Sequence, residues 1–103
     1  MRPSSEKTKQ LNRFTACFAF VMNVDFNHIR GFADRDVKML CIYAAKKELD
    51  VNVWELSNYY RLPKLFIFEQ MRHIAVQTLV NDDLRNAIDD VLLFWNLLTV
   101  SKE

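Results

Sequence analysis

Few side chains in this 103-residue chain are of the kinds that do metal or covalent chemistry. Its cysteines and histidines are Cys17, Cys41, His28 and His73. A structural zinc site needs four such ligands, usually in closely spaced pairs. None of the four falls at that spacing, so no zinc ion is expected. Both cysteines sit within apolar helical patterns, where a thiol behaves as a small hydrophobe. Two buried free thiols in a reducing compartment are the expected state, with a disulfide as the alternative. Asp82-Asp83 and Asp89-Asp90 are seven residues apart and share a helix face. That face could hold a cation, but a solvated acidic helix surface is the commoner use of such a pattern. The chain carries no glycine-rich phosphate loop, no nucleophile with a plausible base and no carboxylate pair that a pattern places in a cleft. It is read as a non-enzyme without a cofactor.

Recognition chemistry is better represented, between Arg61 and Gln77. A helix is expected from Pro63 to about Val80, because proline is tolerated at a first helical position and breaks what precedes it. On this helix Phe68, Met71, Ala75 and Leu79 cluster, flanked by Ile67 and Ile74, and are expected to face inward. Phe66, Glu69, Gln70, His73 and Gln77 lie opposite. A glutamine such as Gln70 can bond adenine through two hydrogen bonds, and a phenylalanine can touch a thymine methyl. Arg61, Lys64 and Arg72 could hold phosphates, which position a protein without specifying sequence. Glu69 in the middle of this face would repel phosphate. The plain alternative is a solvated face with one exposed phenylalanine and a surface histidine.

The elements that must position these groups are all helical. One glycine and two prolines are too few for the turns of a β-rich fold. Leu11, Phe14, Phe18 and Val21 recur at three- and four-residue steps and predict a helix from about Ser5 to Met22. Asp25 can cap a short helical turn ending near Gly31, the residue best suited to a left-handed C-terminal position. Asp34 is the expected cap of a further helix that turns Val37, Leu40, Cys41, Ala44 and Leu49 inward. Asn52 followed by Glu55 three positions on reads as a capping box. Leu56, Tyr59 and Tyr60 then line a short helix that Arg61-Leu62-Pro63 ends. Asn81 or Asp82 caps the last helix, whose early acids suit the helix dipole. Short helix, tight turn and long helix over about 53–80 form a helix–turn–helix, the layout of a DNA-reading motif and of many plain helical hairpins.

This stretch resembles the C-terminal DNA-binding domain of the bacterial replication initiator DnaA, a module related to the Trp repressor. The family pattern Glu-Leu-Thr, Ser-Leu-Pro-Glu-Ile-Gly and Ala-Phe is matched, with one residue skipped, by Glu48-Leu49-Asp50, Asn52-Val53-Trp54-Glu55-Leu56-Ser57 and Tyr59-Tyr60. The layout agrees over about residues 10–98. The resemblance implies an all-α fold, a compact bundle of five to six helices in one domain spanning 1–103, and binding of double-stranded DNA. It further implies that Arg30, Arg35, Arg61 and Lys64 share a surface, with Lys38 continuing a positive stripe. The family's contact signature, Gly-Gly-Arg-Asp-His-Thr-Thr-Val, is missing. Its place is taken by Arg61-Leu62-Pro63-Lys64-Leu65-Phe66-Ile67-Phe68. A relative with these residues cannot read the same DNA site in the same way.

Charge and hydropathy pull in two directions. The net charge of +1 is not the strongly basic footprint of a nucleic-acid binder. It is unevenly spread: residues 1–75 carry 12 Lys and Arg against 8 Asp and Glu, and residues 76–103 carry 2 against 5. The apolar fraction of 50% is high for a soluble domain. Val91 to Trp95 with Leu97 and Leu98 are apolar nearly all round, which marks a helix buried on several sides or one that meets another chain. Val91, Phe94, Trp95 and Leu98 are therefore expected at an oligomer interface, a two-fold homodimer or a contact with a protein partner. No run is long enough to span a bilayer. Phe14–Met22 faintly resembles a signal peptide but continues a helical stripe and lacks a cleavage site. A cytoplasmic protein that does not enter membranes is expected. The first functional expectation is DNA binding of the replication-initiator or repressor type. The other is a helical protein-interaction module on the same scaffold that has lost DNA binding.

Overall fold

Helix α1 (Ser5–Met22) buries Leu11, Phe14 and Phe18 of the stripe that its three- and four-residue spacing predicts, leaves Val21 half-buried, and buries Thr15, Cys17 and Ala19 as well. The structure, a computed structural model, describes residues 5–26, 29 and 35–100. Four further helices lie wholly within the described residues: α2 (Arg35–Glu48), α3 (Val53–Tyr60), α4 (Lys64–Val80) and α5 (Asp82–Val100). The described residues contain no strand, and they form a compact all-helical globule. Helix α1 packs on α5, and α2 packs on α1, α4 and α5. The short α3 bridges α1, α2 and α4. Aromatic contacts fix the α1–α5 pair: the Phe14 ring meets Trp95 edge-on at 5.3 Å, and Phe20 stacks on Phe94 at 5.4 Å.

Local chemistry accounts for the boundaries. The Asn52 Oδ1 accepts from the Glu55 N–H at 2.9 Å, and the Asn52 N–H donates back to Glu55 Oε1 at 2.9 Å. This capping box satisfies two backbone donors that an α-helix leaves open at its start. Helix α3 ends where Arg61 takes left-handed backbone angles, φ 59° and ψ 48°, and its N–H donates to the Ser57 carbonyl. A non-glycine residue there carries a steric cost, and two contacts hold it in place. The Leu62 N–H reaches the Ser57 carbonyl at 3.3 Å, and the Ser57 hydroxyl donates to the Leu62 carbonyl at 2.6 Å. Pro63 sits one residue before α4 as its N-cap, so the helix starts at Lys64, one residue later than the sequence predicts. Asn81 caps α5 through its side-chain oxygen, which accepts from the Leu84 N–H at 3.0 Å.

The expected short helix before Gly31 falls largely outside the described residues. Within them, the Ile29 N–H donates to the Asp25 carbonyl at 3.3 Å and Ile29 is fully buried. Gly31 and Asp34, and the caps expected of them, are outside the described set.

A polar knot closes the core. Tyr60 is fully buried, and its hydroxyl lies 2.8 Å from Thr15 Oγ1 and 3.4 Å from Cys41 Sγ. Its carbonyl accepts from the Lys38 ammonium at 3.2 Å. Among the described residues no buried side-chain nitrogen or oxygen lacks a hydrogen-bond partner, as a stable interior requires.

Candidate interaction surface

Helix α4 supplies the most conspicuous surface of the molecule. It lies on the core through Ile67 and Ile74, with Phe66 and Met71 packed at the edges. The residues on the far side are Leu65, Phe68, Arg72, Val76 and Leu79, at steps of three, four, four and three, with Val80 beside them. That spacing is one helix face. Leu65, Phe68, Val76, Leu79 and Val80 are between 53 and 77% exposed. Single exposed apolar side chains are ordinary; an ordered stripe of them on one helix is a candidate binding surface.

This arrangement corrects the face expected from the sequence. Phe68 and Leu79 were to point inward with Met71 and Ala75; both are outside, and the buried line runs through Ile67 and Ile74. Gln70 and Gln77, expected on the outer recognition face, are half-buried, and so is Phe66. Glu69 and His73 do lie outside. The physical reason is that 10 of the 17 residues of α4 are apolar and surround its axis. Periodicity then leaves two inward stripes nearly equivalent, and packing against α2, α3 and α5 selects one of them. The all-round apolar character was the signal that could have revealed an uncovered face here, as it did for the last helix.

The turn before α4 extends the stripe. Trp54 of α3 is 65% exposed, and the Lys64 ammonium sits over its ring, 2.9 Å from the centroid. A cation over an indole face gains electrostatic attraction from the ring quadrupole and keeps both side chains ordered at the surface. Arg61 is exposed on the adjoining turn and Arg72 is exposed within the stripe. At the other end of α4 a hollow of about 440 Å³ opens between α2, α4 and α5, lined by Tyr43, Lys47, Val76, Leu79, Arg85 and Ile88 among others. The Lys47 ammonium lies 5.9 Å from the Tyr43 ring centre at its mouth. The surface thus combines aromatic and aliphatic anchors with cations along its length; Glu69 and Asp89 are exposed on it, and Asp82 pairs with Arg85 at 2.6 Å.

Several expected contact residues lie elsewhere. Lys38 is 4% exposed and its ammonium serves the Tyr60 carbonyl, so it belongs to the core and not to a positive surface stripe. Arg30 lies outside the described residues; Arg35 opens α2, and its side chain lies outside them too. Of the seven residues expected to meet DNA, the structure leaves Arg61 and Arg72 exposed, sets Lys64 over the Trp54 ring and half-buries Gln70.

The C-terminal helix is also sorted differently from the expectation. Val91 is fully buried and Trp95 is 8% exposed, so both are core residues, held by α1. A residue that packs inside the protomer cannot also pack against another chain. Phe94 is half-buried on Phe20, and Leu98 is exposed with Leu93 and Leu97. A groove of about 630 Å³ runs between α1 and α5, lined by Gln10, Arg13, Cys17, Phe20, Phe94 and Leu98 among others.

The thiols have no reactive setting. Burial raises Cys17, and burial pushes Cys41 up to about 12, against smaller opposing effects of the Tyr60 and Thr15 hydroxyls. Burial likewise raises Tyr60 well above its ordinary value. Such groups stay protonated at neutral pH, and a thiol without thiolate character is a poor nucleophile. The two cysteines are not bonded to each other. Among the described residues no three of His, Cys, Asp and Glu come together in a group that could hold a metal ion. No helix there is long and apolar enough to cross a membrane. No family model, curated protein or solved structure matches the chain.

Proposed function

We propose that the protein is a helical interaction module whose α3–α4 surface docks another protein. The observation that carries this reading is the outward stripe of Leu65, Phe68, Val76, Leu79 and Val80 on the helix that would read DNA in a replication initiator or repressor. A DNA-reading helix presents polar side chains that match donors and acceptors in the major groove. Four or five aliphatic and aromatic side chains would bury against phosphates and sugars with nothing to pair. Against a protein they gain about 25 cal/mol for each Å² of apolar surface removed from water. The half-buried position of Gln70 and the exposed Glu69 point the same way.

The chemistry of the surface describes the partner. Trp54 and Phe68 are anchors of the kind enriched at the centres of interfaces. Arg61, Lys64, Arg72 and Lys47 flank or interrupt the apolar line. A complementary partner is an amphipathic segment, helical in the helix-in-groove mode, with an apolar stripe and carboxylates at its margins. Two buried thiols that remain unbonded suit a reducing, cytoplasmic setting.

Titration of duplex DNA over a range of salt tests the reading against DNA binding. Counterion release makes the affinity of a DNA binder fall steeply with salt. The docking reading expects no duplex binding even at low salt. Tight binding would overturn it if the salt slope flattened by roughly one unit for each cation removed in Arg61→Ala and Lys64→Ala.

A further inference from the structure

We propose that the chain also pairs with a second copy of itself through the α1–α5 face, in a two-fold dimer held in register by charge. The face shares no residue with the docking stripe of α4. Contacts along α1 and α5 run in opposite senses: Phe14 meets Trp95 and Phe20 meets Phe94, while Gln10 and Arg13 share one end of the groove with Leu98 and Thr99. The middle is apolar. Phe20 is 73% exposed even while stacked on Phe94, and Leu97 stands exposed on the same side.

The two ends carry opposite charge. On α5, Asp83, Asp90, Phe94 and Leu97 fall at steps of seven, four and three and share a face. On α1, Lys9, Arg13, Ala16 and Phe20 do the same at steps of four, three and four. Asp83, Asp90, Lys9 and Arg13 are all exposed. At 1.5 Å per helical residue, Arg13 and Lys9 lie about 10 and 16 Å along the axis from Phe20. On the same rise, Asp90 and Asp83 lie about 6 and 16 Å from Phe94 in the opposite direction. Lys9 and Asp83 thus lie equally far from the aromatic pair, and Arg13 and Asp90 fall on opposite sides of it at about 10 and 6 Å. Glu6 lies beyond Lys9, and Arg85, at the acidic end, pairs with Asp82 at 2.6 Å.

A surface positive at one end, apolar in the middle and negative at the other is complementary to itself under a two-fold axis through the middle. That is the requirement for an isologous interface. Turning a second copy about this axis sets Lys9 and Arg13 of one protomer against the partner subunit's Asp83 and Asp90, with Phe20, Phe94 and Leu97 meeting across the axis. A parallel or shifted arrangement would bring like charges together, which selects against it. An unrelated partner would have no reason to match both ends at once.

Sedimentation equilibrium of the full chain tests this. The unmodified protein is expected to dimerise with an affinity that weakens as salt rises. Arg13→Glu with Lys9→Glu should raise the dissociation constant by roughly tenfold or more, since 1.4 kcal/mol is a factor of ten. Adding Asp83→Lys and Asp90→Lys to the same chain restores opposite charges across the axis and should recover the dimer. Leu97→Ser should weaken it without touching charge. All of these positions are exposed, so circular dichroism should report a folded protein in each case. A clean monomer of 12.2 kDa at high micromolar concentration overturns the proposal. A dimer indifferent to charge reversal and not rescued by the swap overturns it equally. DNA titration and α4 variants bear on the docking surface alone, so failure of one proposal leaves the other standing.

Discussion

The inner and outer sides of the α3–α4 pair obey different physics. On the inner side Tyr60 is sealed in, its hydroxyl shared with Thr15 and Cys41 and its carbonyl held by Lys38. The described polar side-chain atoms buried there have partners, and Leu56, Tyr59, Ile67 and Ile74 are buried. On the outer side Trp54, Leu65, Phe68, Val76 and Leu79 stand in solvent. The inner arrangement leaves nothing for a ligand to satisfy, so its job is to hold the helices. The outer arrangement contributes little to the fold and leaves apolar area that binding can bury. Two helices only a few residues apart therefore present a sealed face and an open apolar face on opposite sides.

Removing Tyr60 should have the largest effect. Tyr60→Ala deletes a fully buried ring and leaves Thr15 and Cys41 around a cavity. Losses for large aromatic truncations run at about 3–5 kcal/mol, read as a lower denaturant midpoint. A loss below about 1 kcal/mol would mean that the inner side is not the tight knot described, since well-packed sites cost more than that.

Alkaline pH attacks the same knot without mutation. Cys41 and Tyr60 are neutral when protonated, and burial raises both. The unfolded chain lets the thiol ionise near its ordinary 9.0, whereas the folded chain holds it to about 12. Their contribution is therefore fully present below about pH 9 and is lost as pH rises toward the folded values. Each group that ionises only on unfolding adds a slope of about 1.4 kcal/mol per pH unit in that window. Cys41→Ala should remove one proton's worth of that slope between pH 9 and 11. An unchanged slope would show that the thiol titrates in the folded state.

Lys38→Ala should come next. It leaves the Tyr60 carbonyl without the ammonium that now serves it. An abandoned buried polar group costs about 1–3 kcal/mol. A neutral result would return Lys38 to the surface role that its charge alone suggests.

The outer side should be nearly silent in the same assay. Leu65→Gln and Phe68→Gln are expected within about 0.5 kcal/mol of the parent, as for surface positions generally. A larger loss would mean that these side chains pack in the folded protomer, and the contrast between the two faces would collapse.

Much of the fold was legible in the sequence, and the reason differs by element. The capping box at Asn52 and Glu55, the break at Arg61-Leu62-Pro63 and the Asn81 cap are local chemistry, so short-range pattern suffices. Helix α1 has one clear apolar stripe, and spacing finds Leu11, Phe14 and Phe18 on its inward face while missing the buried Thr15 and Ala19 beside them. Helix α4 and the end of α5 are apolar on several sides, so spacing cannot say which side meets the core. That decision belongs to contacts from residues far along the chain. It turned Phe68 and Leu79 outward, drew Val91 and Trp95 inward, and buried Lys38 against Tyr60. The basic residues at the α3–α4 turn were identified from charge; that they border an apolar surface became visible only in three dimensions.

The central claim is that the outer face of α4 receives a protein segment and does not read DNA. Amide chemical-shift mapping on the isotope-labelled chain tests it most directly, with acidic amphipathic helical peptides and duplex DNA added in separate titrations. Peptides are expected to shift the amides around Leu65, Phe68, Arg72, Val76 and Leu79, Phe68→Gln to abolish the response, and DNA to leave them unmoved. Shifts at Arg61, Lys64 and Gln70 on adding duplex, with no response of α4 to any peptide, would contradict it.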